Sequence, residues 1–135
     1  MGYVLSPGED QNRRLLRARD AMDREFAHPL DIPALAHIAL MSPTHFTRSF
    51  RATFGETPHR YLQRRRIERA MASLRSTSVS VTDIAAQVGF ESLGTFSRTF
   101  RAIVGMSPTE FRSGTSPVDV PVCFVKAWTR PSRFG

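Results

Sequence analysis

With 135 residues, a hydrophobic fraction of 41% and a net charge of +7, the chain has material for one domain or two very small ones and points toward an anionic partner. Its single cysteine, Cys123, excludes an intrachain disulfide and a cysteine-based metal site. No apolar run approaches the ~18 residues of a membrane span, and Met1 to Glu9 lacks the charged-then-apolar layout of a signal peptide, so the expectation is a cytoplasmic protein with no membrane partner.

A first helix is predicted over 8–27, with Leu15, Ala18, Met22 and Phe26 on one stripe and Arg13, Arg14, Arg17, Asp20 and Asp23 facing elsewhere. His28-Pro29 ends it. Asp31 is an N-cap for a helix over 32–39 that turns Leu35, Ala36 and Ala39 inward, and Leu40-Met41 is a break. Ser42-Pro43 starts the next helix, since serine caps well and proline is tolerated at the first helical position. It buries Phe46 and Phe50 and ends near Gly55. Thr57-Pro58 repeats the same device and opens a connecting helix to about Leu74, with Arg75 where a cation suits the helix dipole. Ser76-Thr77-Ser78 is a break. Ser80 to Asp83 resembles a capping box, Ile84, Ala85 and Val88 continue that helix, and Gly89 interrupts it. A helix follows over 95–104, and Ser107-Pro108 opens a last short one through Phe111-Arg112. The tail, Val118 to Trp128, is β-branched and aromatic but broken by Pro121; it is either an edge strand or an extended segment.

Within this order one pattern occurs twice. Phe46, Arg48, Phe50, Arg51, Ala52, Gly55 and Pro58 recur 50 residues later as Phe96, Arg98, Phe100, Arg101, Ala102, Gly105 and Pro108. Helical positions i, i+3, i+4 and i+7 share a face. Opposite the buried phenylalanines, that face holds Thr44, Thr47, Arg48 and Arg51 in the first copy, and Gly94, Ser97, Arg98 and Arg101 in the second. Each face is small and polar, carries two arginines and has no acid that phosphate would repel, which is the footprint of a nucleic-acid reader. The alternative is a pair of ordinary solvated faces. For the run Arg60, Arg64, Arg65 and Arg66, phosphate contact and a solvated helix face are both open.

The string Leu35-Ala36, Ala39, Met41-Ser42-Pro43, His45-Phe46, Arg48, Phe50-Arg51 resembles the first helix-turn-helix of AraC/XylS-type transcription regulators. Ile84-Ala85, Val88-Gly89-Phe90-Glu91-Ser92, Phe96-Ser97-Arg98, Phe100-Arg101, then Gly105 to Pro108 and Glu110-Phe111-Arg112, resembles their second unit. The resemblance covers roughly residues 13–112. It implies an all-α fold of two helix-turn-helix subdomains, 8–56 and 79–114, joined by a connecting helix at 57–78 and followed by a short extended C-terminal tail at 115–135. It implies a stand-alone reader of double-stranded DNA that binds an asymmetric promoter site as a monomer, contacts RNA polymerase, and uses neither cofactor, metal nor catalysis.

The same resemblance assigns base reading to Thr44, Thr47 and Arg48 in the first unit, and to Leu93, Ser97 and Arg98 in the second. Phosphate contact falls to His45, Arg51, Arg60, Thr95 and Arg101. Gly94 departs from the family pattern, in which a polar residue is frequent, and cannot hydrogen-bond a base through a side chain; Leu93 offers a thymine methyl only apolar contact. The expectation is therefore a second unit that discriminates sequence less than the first. A rival reading makes the tail the main surface, binding a small molecule or a protein. Cys123 is either a reactive thiol or an inert one.

Overall fold

A computed structural model describes residues 4–114, and the predicted tail, with Cys123 and Trp128, lies outside them. The described residues form seven helices and no strand: α1 Pro7–Arg24, α2 Ile32–Ile38, α3 Pro43–Phe54, α4 Pro58–Ser76, α5 Val81–Gln87, α6 Leu93–Val104 and α7 Pro108–Ser113. None of them is long and apolar enough to cross a membrane.

Serine and aspartate set most of the starts. The side chains of Ser6, Asp31, Ser42, Ser80, Ser92 and Ser107 each accept a backbone N–H three residues on, satisfying a donor that a helix start leaves open. Ser6 with Glu9, and Ser107 with Glu110, complete reciprocal capping boxes. At Ser80, by contrast, the N-cap bond to Asp83 is the feature observed. Gly55 and Gly105 close α3 and α6 in the left-handed conformation, at φ 81° and 91°.

Three boundaries differ from expectation by two residues or more. α1 stops at Arg24 because Glu25 leaves helical geometry, so Phe26 does not extend the Leu15–Met22 stripe but packs on a different core. α4 runs on to Ser76, where Ser76 Oγ and Thr77 Oγ1 donate to the carbonyls of Ala72 and Ser73 at 2.7 Å. α6 starts at Leu93, not Thr95, since Ser92 is its cap.

The chain divides into two compact units. Among the described residues the first holds 4–25 and 30–61, and the second holds 26–29 and 62–114; α4 begins in one and continues through the other. In the first, α1 packs on α2 and α3 around Leu15, Ala18, Phe46 and Phe50, all fully buried. Rings meet along it in tilted or edge-to-face pairs: Phe46 with Phe50 (5.7 Å), Phe50 with Phe54 (4.6 Å) and Phe50 with Tyr61 (5.8 Å). Tyr61 donates to Asp23 Oδ1 at 2.7 Å, giving the buried hydroxyl a partner. In the second unit Ile67, Ile84, Phe96 and Phe100 are fully buried. Its rings run Phe90–Phe96–Phe100–Phe111 at 5.3, 5.7 and 5.6 Å. Each such aromatic pair adds about 0.5–1.5 kcal/mol beyond its burial.

Arginines close open carbonyl ends within each unit. Arg14 Nη1 donates to the carbonyls of Ala39 and Leu40 at 2.8 and 3.2 Å, past the end of α2. Arg66 donates to those of Phe26 and His28, both at 2.7 Å. Arg112 donates to those of Leu74 and Thr77, both at 3.2 Å, at the end of α4.

The candidate nucleic-acid interface

α3 and α6 are twelve residues each, start on a serine cap and end on a left-handed glycine. Phe46, Phe50, Phe96 and Phe100 anchor them from below at 0% exposure, which fixes the rotation of each helix and so the face it shows to solvent. In α3 that face presents Thr44, Arg48 and Arg51 exposed and Thr47 half-buried. In α6 it presents Leu93, Gly94, Arg98 and Arg101 exposed and Ser97 half-buried.

The turns leading into these helices are alike but unequal in length. Leu40 N–H donates to the His37 carbonyl and Met41 N–H to that of Ala36. Gly89 and Phe90 repeat this with Ala86 and Ala85, at an offset of 49. From the caps onward, Ser42 and Ser92, the offset is 50. Glu91 is the added residue in the second turn.

Side-chain surroundings separate the two faces. Arg48 makes no ion pair or side-chain hydrogen bond with any described residue, so its guanidinium is available to a ligand. Arg98 instead lies back along its own helix. Its Nη2 donates to Thr95 Oγ1 at 3.4 Å, and Ser92 Oγ donates to the same oxygen at 3.0 Å. Gly94 lies beside it: a Cβ there would meet Arg98 Nη1 at 3.5 Å, an ordinary contact. Arg101 faces Glu110 Oε1 at 3.4 Å, with both side chains largely exposed. The acid-free face predicted for α6 therefore gains a carboxylate from α7. Hydrogen bonds from Ser107, backbone first and then side chain, hold the Glu110 carboxyl below its ordinary pKa, and Arg101 adds to this.

The remaining basic residues fall into place less evenly. His45 is exposed, with Nε2 3.4 Å from Ser49 Oγ. Arg60 is half-buried in the first turn of α4, where its N–H donates to Thr57 Oγ1. The Arg64–Arg66 run divides between the helix surface and the interior. Arg64 and Arg65 both bind Glu68 at 2.8 Å. Arg66 is buried as a carbonyl clamp, and burial pushes its pKa down. Sequence spacing cannot show that the carbonyls of Phe26 and His28 lie beside it.

One feature of the α3 face was not anticipated. Ile32 and Pro43, with Thr44, Thr47 and Arg48, line an open concavity of about 390 Å³. The signal was present in Pro43 directly after the Ser42 cap, which puts an apolar ring at the tip of the helix.

Residues 35–114 match a protein family described as "Helix-turn-helix domain". Over 81 residues the chain is 46% identical to HTH-type transcriptional regulator Rv1931c of Mycobacterium tuberculosis, a match covering 60% of this chain and 31% of that protein. Over 106 residues it is 35% identical to the HTH-type transcriptional activator RhaS of an Enterobacter species, covering 78% and 38%. The chain thus spans about a third of the length of these relatives. Among solved structures, it resembles the DNA-binding domain of the global transcriptional factor AdpA, crystallised with a target DNA. The TM-score is 0.70 at 29% identity, over 74% of this chain and 90% of that one. An AraC-type DNA-binding-domain regulator from Chromobacterium violaceum is equally similar, with TM-score 0.70 and 29% identity over 76% and 91%.

Proposed function

Because the chain belongs to the AraC-type helix-turn-helix family, we propose that it acts as a transcription regulator by laying α3 and α6 in the major groove of double-stranded DNA. The observation that carries this is the pair of phenylalanine-anchored helices, each showing two arginines at matched positions in a +7 chain. The likeness to a domain crystallised with its target DNA supports it.

Thr44, Thr47 and Arg48 read bases in the first unit; Leu93, Ser97 and Arg98 do so in the second. His45, Arg51, Arg60, Thr95 and Arg101 contact phosphate, and these contacts position the protein without specifying sequence. Arg64, Arg65 and Arg66, engaged inside the protein, take no part. The site is asymmetric and one chain occupies it. RNA polymerase is the downstream partner, the setting is the cytoplasm, and the action is binding without catalysis.

The test is salt dependence on a selected site and on random DNA. The three arginines among the phosphate contacts, Arg51, Arg60 and Arg101, predict a loss of at least roughly fortyfold in affinity between 50 and 200 mM salt. Arg48→Ala should remove about 1–3 kcal/mol on the selected site and much less on random DNA. A flat salt response, or an equal loss on both DNAs, would overturn the reading.

A further inference from the structure

The concavity on the α3 face has walls of two kinds. Ile32 and Pro43 are hydrocarbon, Thr44 and Thr47 each carry one methyl beside a hydroxyl, and Arg48 forms one rim. It is open rather than enclosed, and it shares Thr44, Thr47 and Arg48 with the face assigned to base reading. A group lying against Ile32, Pro43 and the threonine methyls therefore meets hydrocarbon, beside whatever the guanidinium binds. In the major groove one base presents an apolar group: thymine, whose 5-methyl projects from the edge, while the bidentate partner of arginine is guanine O6 and N7.

We propose that this concavity is a seat for a thymine 5-methyl group, and that the first half-site contains a thymine in a base pair adjacent to the guanine bound by Arg48. The inference rests on α3 being the base-reading helix. Threonines serve here where alanines would not. Their methyls complete the apolar wall, while their hydroxyls keep hydrogen-bonding capacity toward neighbouring base edges and water. At the equivalent points of α6 stand Gly94 and Ser97, so both of these methyls are missing there.

Deoxyuridine pairs as thymidine does and lacks only the methyl, so it isolates the contact. Sites would first be selected from randomised DNA with the full chain. Each thymine of the first half would then be replaced in turn by deoxyuridine. One position should lose about fourfold in affinity, the effect of burying one methyl-sized group. The double variant Thr44→Ser, Thr47→Ser keeps both hydroxyls and removes both methyls, and should narrow the difference between the thymine and deoxyuridine sites to about twofold, since Ile32 and Pro43 remain. Loss of discrimination, not loss of binding, is the readout, so a merely weakened fold would not imitate it.

The inference is overturned by a first half-site lacking thymine, by equal affinity for both DNAs at every position, or by full discrimination in the double variant. Equal affinity would assign the concavity to another occupant, such as a small apolar effector. If Arg48→Ala still relaxes guanine preference in that case, the base-reading role of α3 stands and only the methyl seat falls. If Arg48→Ala changes nothing, both fall together.

Discussion

Leu40 and Gly89 hold the same left-handed backbone position in the two turns, at φ 57° and 98°. One is leucine and the other glycine, though each follows the C-cap of the helix before it. The difference is steric. A Cβ at Gly89 would lie 2.7 Å from the Ala27 carbonyl oxygen, whereas Leu40 is 69% exposed. A left-handed L-residue costs roughly 1–2 kcal/mol, and glycine gives back about 0.5–1 kcal/mol in chain entropy. Leu40→Gly should therefore change stability by no more than about 1 kcal/mol, in the stabilising direction. Gly89→Ala should destabilise by about 2–4 kcal/mol, combining strain with backbone contact. Urea unfolding of both variants checks this, and similar losses in the two would refute it.

Arg66 gives a second expectation. The residue is 8% exposed, and its guanidinium donates to two carbonyls at 2.7 Å. Arg66→Met should cost about 2–4 kcal/mol, because the Phe26 and His28 carbonyls lose their donors. Arg66→Lys should recover only part, since an ammonium lacks the forked geometry. DNA affinity measured well below the unfolding midpoint should stay within about twofold of wild type, unlike that of a phosphate-contacting arginine. A large affinity loss in folded Arg66→Met would return this residue to the interface.

These two positions mark how far the sequence could be read. Helix order and the inward stripe of phenylalanines follow from local rules, namely caps, proline at N1 and 3.6-residue periodicity, and the structure has the same all-α architecture. The resemblance pointed to two reading helices, and the structure has a helix at each of those places. Long-range partners were not legible. Nothing in Arg64-Arg65-Arg66 distinguishes the one residue that reaches 38–40 positions back to two carbonyls. Nothing in Glu110 announces that it faces Arg101 as well as capping α7. Thr95, assigned to phosphate, has its hydroxyl engaged by Ser92 and Arg98, a local network that periodicity does not reveal.

Glu110 links stability to binding. Its carboxyl is held below the ordinary value of 4.5, first by the Ser107 backbone and hydroxyl and then by Arg101. A depressed acid stabilises the fold above its unfolded pKa, and that contribution disappears as pH falls through the lowered folded value. Wild type should thus lose stability on acidification below about pH 4.5 more steeply than Glu110→Gln. The same variant frees Arg101 from its carboxylate. Non-specific DNA affinity should rise about two- to fivefold at low salt and converge with wild type at high salt. Unchanged affinity at every salt concentration would mean that Arg101 does not approach phosphate.

The two faces should differ in what they read, and Gly94 is the reason. In α3, Arg48 stands without a described partner beside Thr44 and Thr47. In α6, Arg98 is held along the helix by Thr95, beside Gly94. A single tethered guanidinium can bind one guanine, whereas Gly94 contributes nothing and Leu93 only apolar contact. Randomised-site selection should therefore return a sharp first half and a weaker second half, with one guanine preference in the latter, about one helical turn away. Thr95→Val, nearly the same in shape but without the hydroxyl, should blur that guanine, and Thr95→Ser should keep it. Gly94→Ala should be tolerated, since its Cβ at 3.5 Å is an ordinary contact. Gly94→Gln carries a longer chain into the guanidinium's place and brings an amide suited to adenine, so the second half alone should change from guanine toward adenine, by about 1–3 kcal/mol of discrimination. Two equally sharp halves in the wild type, or a Gly94→Gln change that appears in the first half, would refute the assignment.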